Sequence, residues 1–165
     1  MTDATLPALQ RVSEAEFDAF LALPENLDRR FELIMGKIVE VPSNPLSSEI
    51  AGEFAFHIRL FMRESGIAGH VTGEAGGYRI VGERYAPDVA FVSAERQVEL
   101  PYEDQYNPIP PDLVVEGISP SDNMRNLRIK ISNYLAAGVT VWLCDPVEPQ
   151  VEVHHPSKPV QIVRI

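Results

Sequence analysis

Cysteine is almost absent. Cys144 is the single thiol in 165 residues, so no intramolecular disulfide is available and the fold needs no oxidising compartment. Long apolar runs are missing too. The most apolar stretch, Tyr134 to Cys144, is interrupted by Gly138 and Thr140 and falls short of the roughly 20 residues needed to cross a bilayer. The first residues form neither a basic segment nor an apolar one of the kind that directs secretion, so a cytoplasmic protein without a membrane partner is the expectation. Bases are scarce: 14 Lys and Arg stand against 24 Asp and Glu, a net charge of −10. That balance excludes a general nucleic-acid coat protein, whose phosphate contacts need a Lys/Arg surplus. It leaves room for a nuclease whose few bases are localised. The excess is uneven, with 20 acids against 9 bases over residues 1–120 and 4 against 5 over 121–165. It is expected to sit mainly in the first helix and in the connection from Glu95 to Asp104.

What remains is the balance of an ordinary globular chain, 45% apolar and 23% charged. The length predicts one domain with one core, without internal repeats. Ser13-Glu14-Ala15-Glu16 is a capping-box pattern, and Phe17, Phe20 and Leu21 follow at helical spacing, which predicts a helix over 14–22. Phe31–Ile34 and Lys37–Val41 read as strands joined through Met35-Gly36. Asn44-Pro45 starts a long helix with the stripe Ile50, Phe54, Ile58, Phe61 and Met62, stopped by Gly66. Strands follow at about 68–73, 77–82 and 86–93, with Gly76-Gly77 as a hairpin turn between the first two. Glu95 to Pro111 is a proline-rich surface connection. Asp112 to Ile118 is apolar on both faces, hence central in a sheet. Ser121 or Asp122 caps a helix with the stripe Met124, Leu127, Ile131, Tyr134 and Leu135. A buried strand over 139–144 and two short ones, 150–155 and 160–164, complete the chain. The order gives an α/β fold: a mixed sheet flanked by helices, with a right-handed parallel crossover over 112–144.

Four charged residues need an explanation. Glu116 lies in Leu113-Val114-Val115-Glu116-Gly117-Ile118, where an uncompensated carboxylate costs several kcal/mol out of a typical total of about 5–15. It requires a cation, a hydrogen-bonding partner such as one arginine, or a cleft. Asp88 follows Pro87 at the mouth of the strand Val89-Ala90-Phe91-Val92, and two acids at neighbouring strand mouths can share a hard cation. Asp112 shares a strand face with Glu116 but lies about 13 Å along it, too far to share one ion. Lys130 falls on the helix face of Leu127 and Tyr134, where its head must snorkel to water or meet acids. Arg125 and Arg128 fall nearer the outer edge. Glu32, in Phe31-Glu32-Leu33-Ile34, is either a further acid of this group or an exposed alternate residue. His154 and His155 point to opposite faces of a strand, Trp142 is core or a dimer contact, and Ser119 lacks a nucleophile elbow.

An acid after proline, a second acid in an apolar strand and a nearby lysine form the constellation of the PD-(D/E)XK nucleases. The segments Phe31-Glu32-Leu33-Ile34-Met35-Gly36, Ala86-Pro87-Asp88-Val89, Pro111 to Ser121, and Lys130 with Tyr134, Ala137-Gly138-Val139 and Trp142 to Pro146 resemble the Uma-two family of restriction-endonuclease-like proteins, in order, over about 31–155. The resemblance implies the restriction-endonuclease-like fold as a core behind an N-terminal extension of about 28 residues. It implies Mg²⁺ or Mn²⁺ held by Asp88 and Glu116, with Glu32 as auxiliary acid. The superfamily's lysine position, two residues after the second acid, is Ile118 here, which makes Lys130 its replacement from the helix. The chain departs from the family at Met35 and Lys37, where Asp and Glu are usual, and at Gly117 and Ser48. The implied activity is metal-assisted phosphodiester hydrolysis of nucleic acid, DNA foremost, by a homodimer. A catalytically degenerate interaction module on this fold and a metal-dependent hydrolase of another phosphoester are the alternatives.

Overall fold

Strand pairing divides the sheet expected from sequence into two. The computed structural model describes residues 11–164, so the first ten residues of the N-terminal extension lie outside it. One sheet has five strands in the order β2-β1-β5-β4-β7, and the other six in the order β11-β10-β9-β8-β6-β3. The five-stranded sheet is built from β1 (Phe31–Ile34), β2 (Lys37–Glu40), β4 (Gly77–Ile80), β5 (Glu83–Tyr85) and β7 (Tyr106–Asn107). The six-stranded sheet contains β3 (Gly69–Gly73), β6 (Val89–Ser93), β8 (Leu113–Gly117), β9 (Thr140–Asp145), β10 (Gln150–His154) and β11 (Gln161–Arg164). Both are mixed. β8 and β9 run parallel, joined by the helix α3 (Met124–Ala136), as the crossover requires.

Period-two alternation sorts the side chains into layers. On β6 and β8, Val89 and Val115 face α2 (Pro45–Ser65), packing with Ala51, Ile58 and Met62, while Ala90, Val92 and Val114 face the opposite way. There they meet Tyr134 of α3 and Ile34, Tyr78, Ile80 and Tyr85 of the five-stranded sheet. The outer face of that sheet is covered by α1 (Glu14–Leu21), whose Phe17 and Leu21 pack with Phe31, Leu33 and Tyr106. Buried Arg84 of β5 ties the layer with a 2.7 Å ion pair to Glu14. The layers run α1, five-stranded sheet, α3 with the inner core, six-stranded sheet, α2.

The helix signals hold in detail. Ser13 and Glu16 exchange both capping-box hydrogen bonds, Asn44 accepts from the Ser47 N–H, and Gly66 ends α2 at φ 69°. Five expectations are corrected. Gly76-Gly77 turns no hairpin, since β3 pairs with β6 and β4 with β5, in different sheets. The hairpin is β4–β5, closed by Val81-Gly82, and the strand expected from residue 86 starts at Val89. Asn123 caps α3 in place of Ser121 or Asp122, and Met124 is exposed. Phe61 is 60% exposed rather than buried, and with Phe54, Met62, Ile67, Phe91, Leu113 and Trp142 lines an apolar groove of about 790 Å³. Among the described residues no helix is long and apolar enough to cross a membrane.

Candidate active site

Glu32, Asp88, Glu116 and Lys130 come together between the two sheets. Parity places each carboxylate. Glu116 shares the β8 face of Val114, Glu32 shares the β1 face of Ile34, and Asp88 stands one residue before β6 in phase with Ala90 and Val92. All three point into the inner layer. Lys130 descends from α3, one turn before Tyr134, between acids carried by strands of different sheets. Glu32 is 4% exposed, Glu116 5% and Lys130 7%, so Glu32 is no exposed alternate and the lysine head does not snorkel to water.

Each carboxylate has one oxygen anchored by the protein. Glu32 Oε1 accepts from the Ala86 N–H at 2.8 Å and from Lys130 Nζ at 2.9 Å. Glu116 Oε1 faces Lys130 Nζ at 2.9 Å and accepts from the Tyr134 hydroxyl at 2.9 Å. Asp88 Oδ2 accepts from the Gly117 N–H at 2.7 Å. The other oxygen of each takes no hydrogen bond from a described residue and is not sealed from the cavity of about 270 Å³ that all three side chains line. At Gly117 the approach is close: an added Cβ would lie 3.3 Å from Asp88 Oδ2.

The electrostatics follow from burial. Desolvation lifts the Glu116 carboxyl to about 7; Lys130 pulls it down, while Glu32 and Asp88 add to the rise. Desolvation likewise raises Asp88, partly offset by the Gly117 N–H and by Lys130. Burial works to strip the proton from Lys130, yet the charges and hydrogen bonds of Glu116 and Glu32 outweigh it and hold the ammonium well above the ordinary lysine range. Lys130 is therefore a fixed cation. Three carboxylates against one ammonium leave the ionised site two negative charges in excess, which fits one divalent cation. No three His, Cys, Asp or Glu side chains among the described residues are grouped to hold a metal by themselves. A hard cation here would rest on two carboxylates, Asp88 and Glu116, with water or substrate oxygens filling the remainder, the habit of Mg²⁺.

Several contributors escaped the sequence reading. Tyr134 fits the apolar stripe, although a buried tyrosine hydroxyl needs a partner and its position four residues from Lys130 points it at the same acids. The peptide N–H groups of Ala86 and Gly117 have no sequence signature. Glu40, Glu74 and Asp122 also line the cavity, so the acid excess does not lie away from the site as expected. Arg30 and Arg29, which the sequence did not single out, offset two of them, pairing with Glu74 at 3.2 Å and Glu40 at 2.7 Å. Arg125 and Arg128 instead line a separate depression with Met35, Ile129 and Ser132. Asp112, set apart by distance, accepts from the Ser93 N–H and pairs with Arg96.

The chain resembles known proteins both in sequence pattern and in fold. The chain is similar to a solved structure described as a putative nuclease belonging to DUF820 from Anabaena variabilis, at 26% identity and a TM-score of 0.74, covering 90% of this chain and 83% of that one. No curated protein matches. The fold is restriction-endonuclease-like. The model of the Uma2 (Uma-two) family, described as "Putative restriction endonuclease", matches residues 17–164, beyond the 31–155 legible in the motifs. The α1 layer and the terminal hairpin are thus part of the same pattern as the acid-bearing strands, and the chain belongs to the Uma2 family.

Proposed function

We propose that the chain is a divalent-metal-dependent nuclease that hydrolyses phosphodiester bonds of nucleic acid, with DNA as its polymer. One observation carries this reading: three carboxylates, on β1, on β8 and just before β6, each have one oxygen anchored and the other without a hydrogen bond from a described residue, and all line the same cavity beside a single buried ammonium. Asp88 and Glu116 are the residues that would hold Mg²⁺ or Mn²⁺. Such an ion supplies an acidified water and offsets charge at the phosphate. Lys130, being a permanent cation, is unsuited to act as a base. It turns an N–H toward a phosphate oxygen as negative charge builds there, an electrostatic role. Glu32, with its second oxygen free, accepts a proton from the attacking water or completes the set of oxygen donors. The cutting unit is a homodimer, because two strands need two sites; a monomer in sedimentation equilibrium at working concentration overturns that part.

Asp88→Ala and Glu116→Ala are expected to abolish Mg²⁺-dependent cleavage of a DNA and RNA panel while circular dichroism shows the fold retained. Cleavage by both variants at the wild-type rate overturns the assignment. A second reading, a non-catalytic binding module on the same fold, is favoured by the six carboxylates and one lysine that line the cavity. Absence of Mg²⁺ or Mn²⁺ binding in calorimetry, together with absence of cleavage, supports that module. Hydrolysis of small phosphoesters without cleavage of either polymer assigns a different phosphoester substrate.

A further inference from the structure

Glu116 is held by two donors of different kinds. Lys130 Nζ is shared, at 2.9 Å from Glu116 Oε1 and 2.9 Å from Glu32 Oε1. The Tyr134 hydroxyl is undivided: Glu116 is its only hydrogen-bond partner among the described residues. Its ring is fully buried, set edge-on to Tyr85 at 5.3 Å and packed in the core with Val114, Val139 and Val141. A donor fixed in this way cannot follow the carboxylate if it turns. The carboxylate must instead keep Oε1 on the hydroxyl, which leaves Oε2 as the oxygen turned to the cavity.

We infer that Tyr134 is a positioning residue that orients Glu116 for metal binding independently of Lys130. The inference rests on the metal-site reading above and adds a division of labour to it. A lysine that swings toward a phosphate oxygen loosens its hold on Glu116 Oε1. Without a second donor, the same movement that meets the substrate would release the metal ligand. The tyrosine separates those two tasks, since its bond to Glu116 does not depend on where the ammonium points. Neighbouring Tyr85 provides a contrast: its hydroxyl accepts from Asn133 Nδ2 at 2.7 Å and hydrogen-bonds to no carboxylate among the described residues.

The test is Mn²⁺ binding by the full chain, followed by isothermal titration and by the electron paramagnetic resonance spectrum of bound Mn²⁺. Tyr134→Phe removes one oxygen and keeps the ring. It is expected to weaken the Mn²⁺ Kd by about tenfold or more, the range seen when groups that orient metal ligands are lost, and to broaden the bound spectrum. Tyr85→Phe, which removes a buried hydroxyl from the same core, is expected to leave both unchanged. Glu116→Asp draws the carboxylate back from the hydroxyl, and adding Tyr134→Phe to it should cost nothing further, because the two changes break one contact. Wild-type affinity and spectrum in a folded Tyr134→Phe protein overturn the positioning role. Equal losses in both phenylalanine variants overturn it as well, as do additive losses in the double variant. Absence of Mn²⁺ binding by the wild-type chain overturns the metal reading itself, and this inference with it.

Discussion

Lys130 is the side chain on which the local charge balance turns. Among the described residues it is the one cation directly between Glu32 and Glu116, and removing one member of a buried ion pair leaves the remainder uncompensated. Lys130→Met is expected to lower unfolding stability by about 3–5 kcal/mol in urea titrations, with added Mn²⁺ recovering part of the loss. The pH dependence follows from Glu116. Its folded value of about 7 lies above its ordinary 4.5, so between the two the folded chain keeps a proton that the unfolded chain has released. Its contribution to stability therefore falls as pH rises across that window. Mn²⁺ competes with that proton, so it should raise Tm more at about pH 8 than at about pH 5.5; equal shifts in a thermal scan would count against the assignment. The acids and the lysine were legible in the sequence because charged groups in apolar strands and on an apolar helix face demand partners. Tyr134 was not, because a phenol satisfies the apolar stripe as well as it satisfies a carboxylate.

Helices and turns follow from short-range chemistry, and strand partners do not. The capping box at Ser13, the Asn44-Pro45 start and the Gly66 stop are all local signals, and all three helices lie where the stripes place them. Gly76-Gly77 misled because a glycine pair between two strand-like runs carries no record of which sheet each run joins. The two tight turns show where the chain is strained. Met35-Gly36 has φ of 52° and 70°, and Val81-Gly82 has 50° and 78°, the positive pair that Asn-Gly and Asp-Gly adopt most easily. A β-branched valine pays the largest steric penalty there. Val81 is 61% exposed, so Val81→Asn should change little besides backbone strain and raise stability by about 1 kcal/mol. An unchanged or lower midpoint in urea would contradict that account.

Across the molecule, the charge surplus changes meaning once it is placed. Glu40, Glu74 and Asp122 line the same cavity as the three inner carboxylates, so a phosphate meets a repulsive field unless a divalent cation is present. Nucleic-acid binding in a filter or polarisation assay is therefore expected to be absent in chelator, to appear with Mn²⁺, and to weaken as salt rises from about 50 to about 200 mM. Chelator-insensitive binding would place the contact elsewhere on the surface. The inner layer also has a consequence for assembly. The antiparallel pairing of Val89 with Val115 sets Asp88 beside the Gly117 N–H. The parallel pairing of β8 with β9 fixes Glu116 opposite Leu143 under α3. A slip of one residue would turn Glu116 to the α2 side, among Val71, Ile58 and Met62, and would strand Lys130 without it. With the proposed metal site, ion retention would thus be a gauge of correct sheet register: a misthreaded chain that kept its helices and much of its apolar burial would still be told apart by its failure to load.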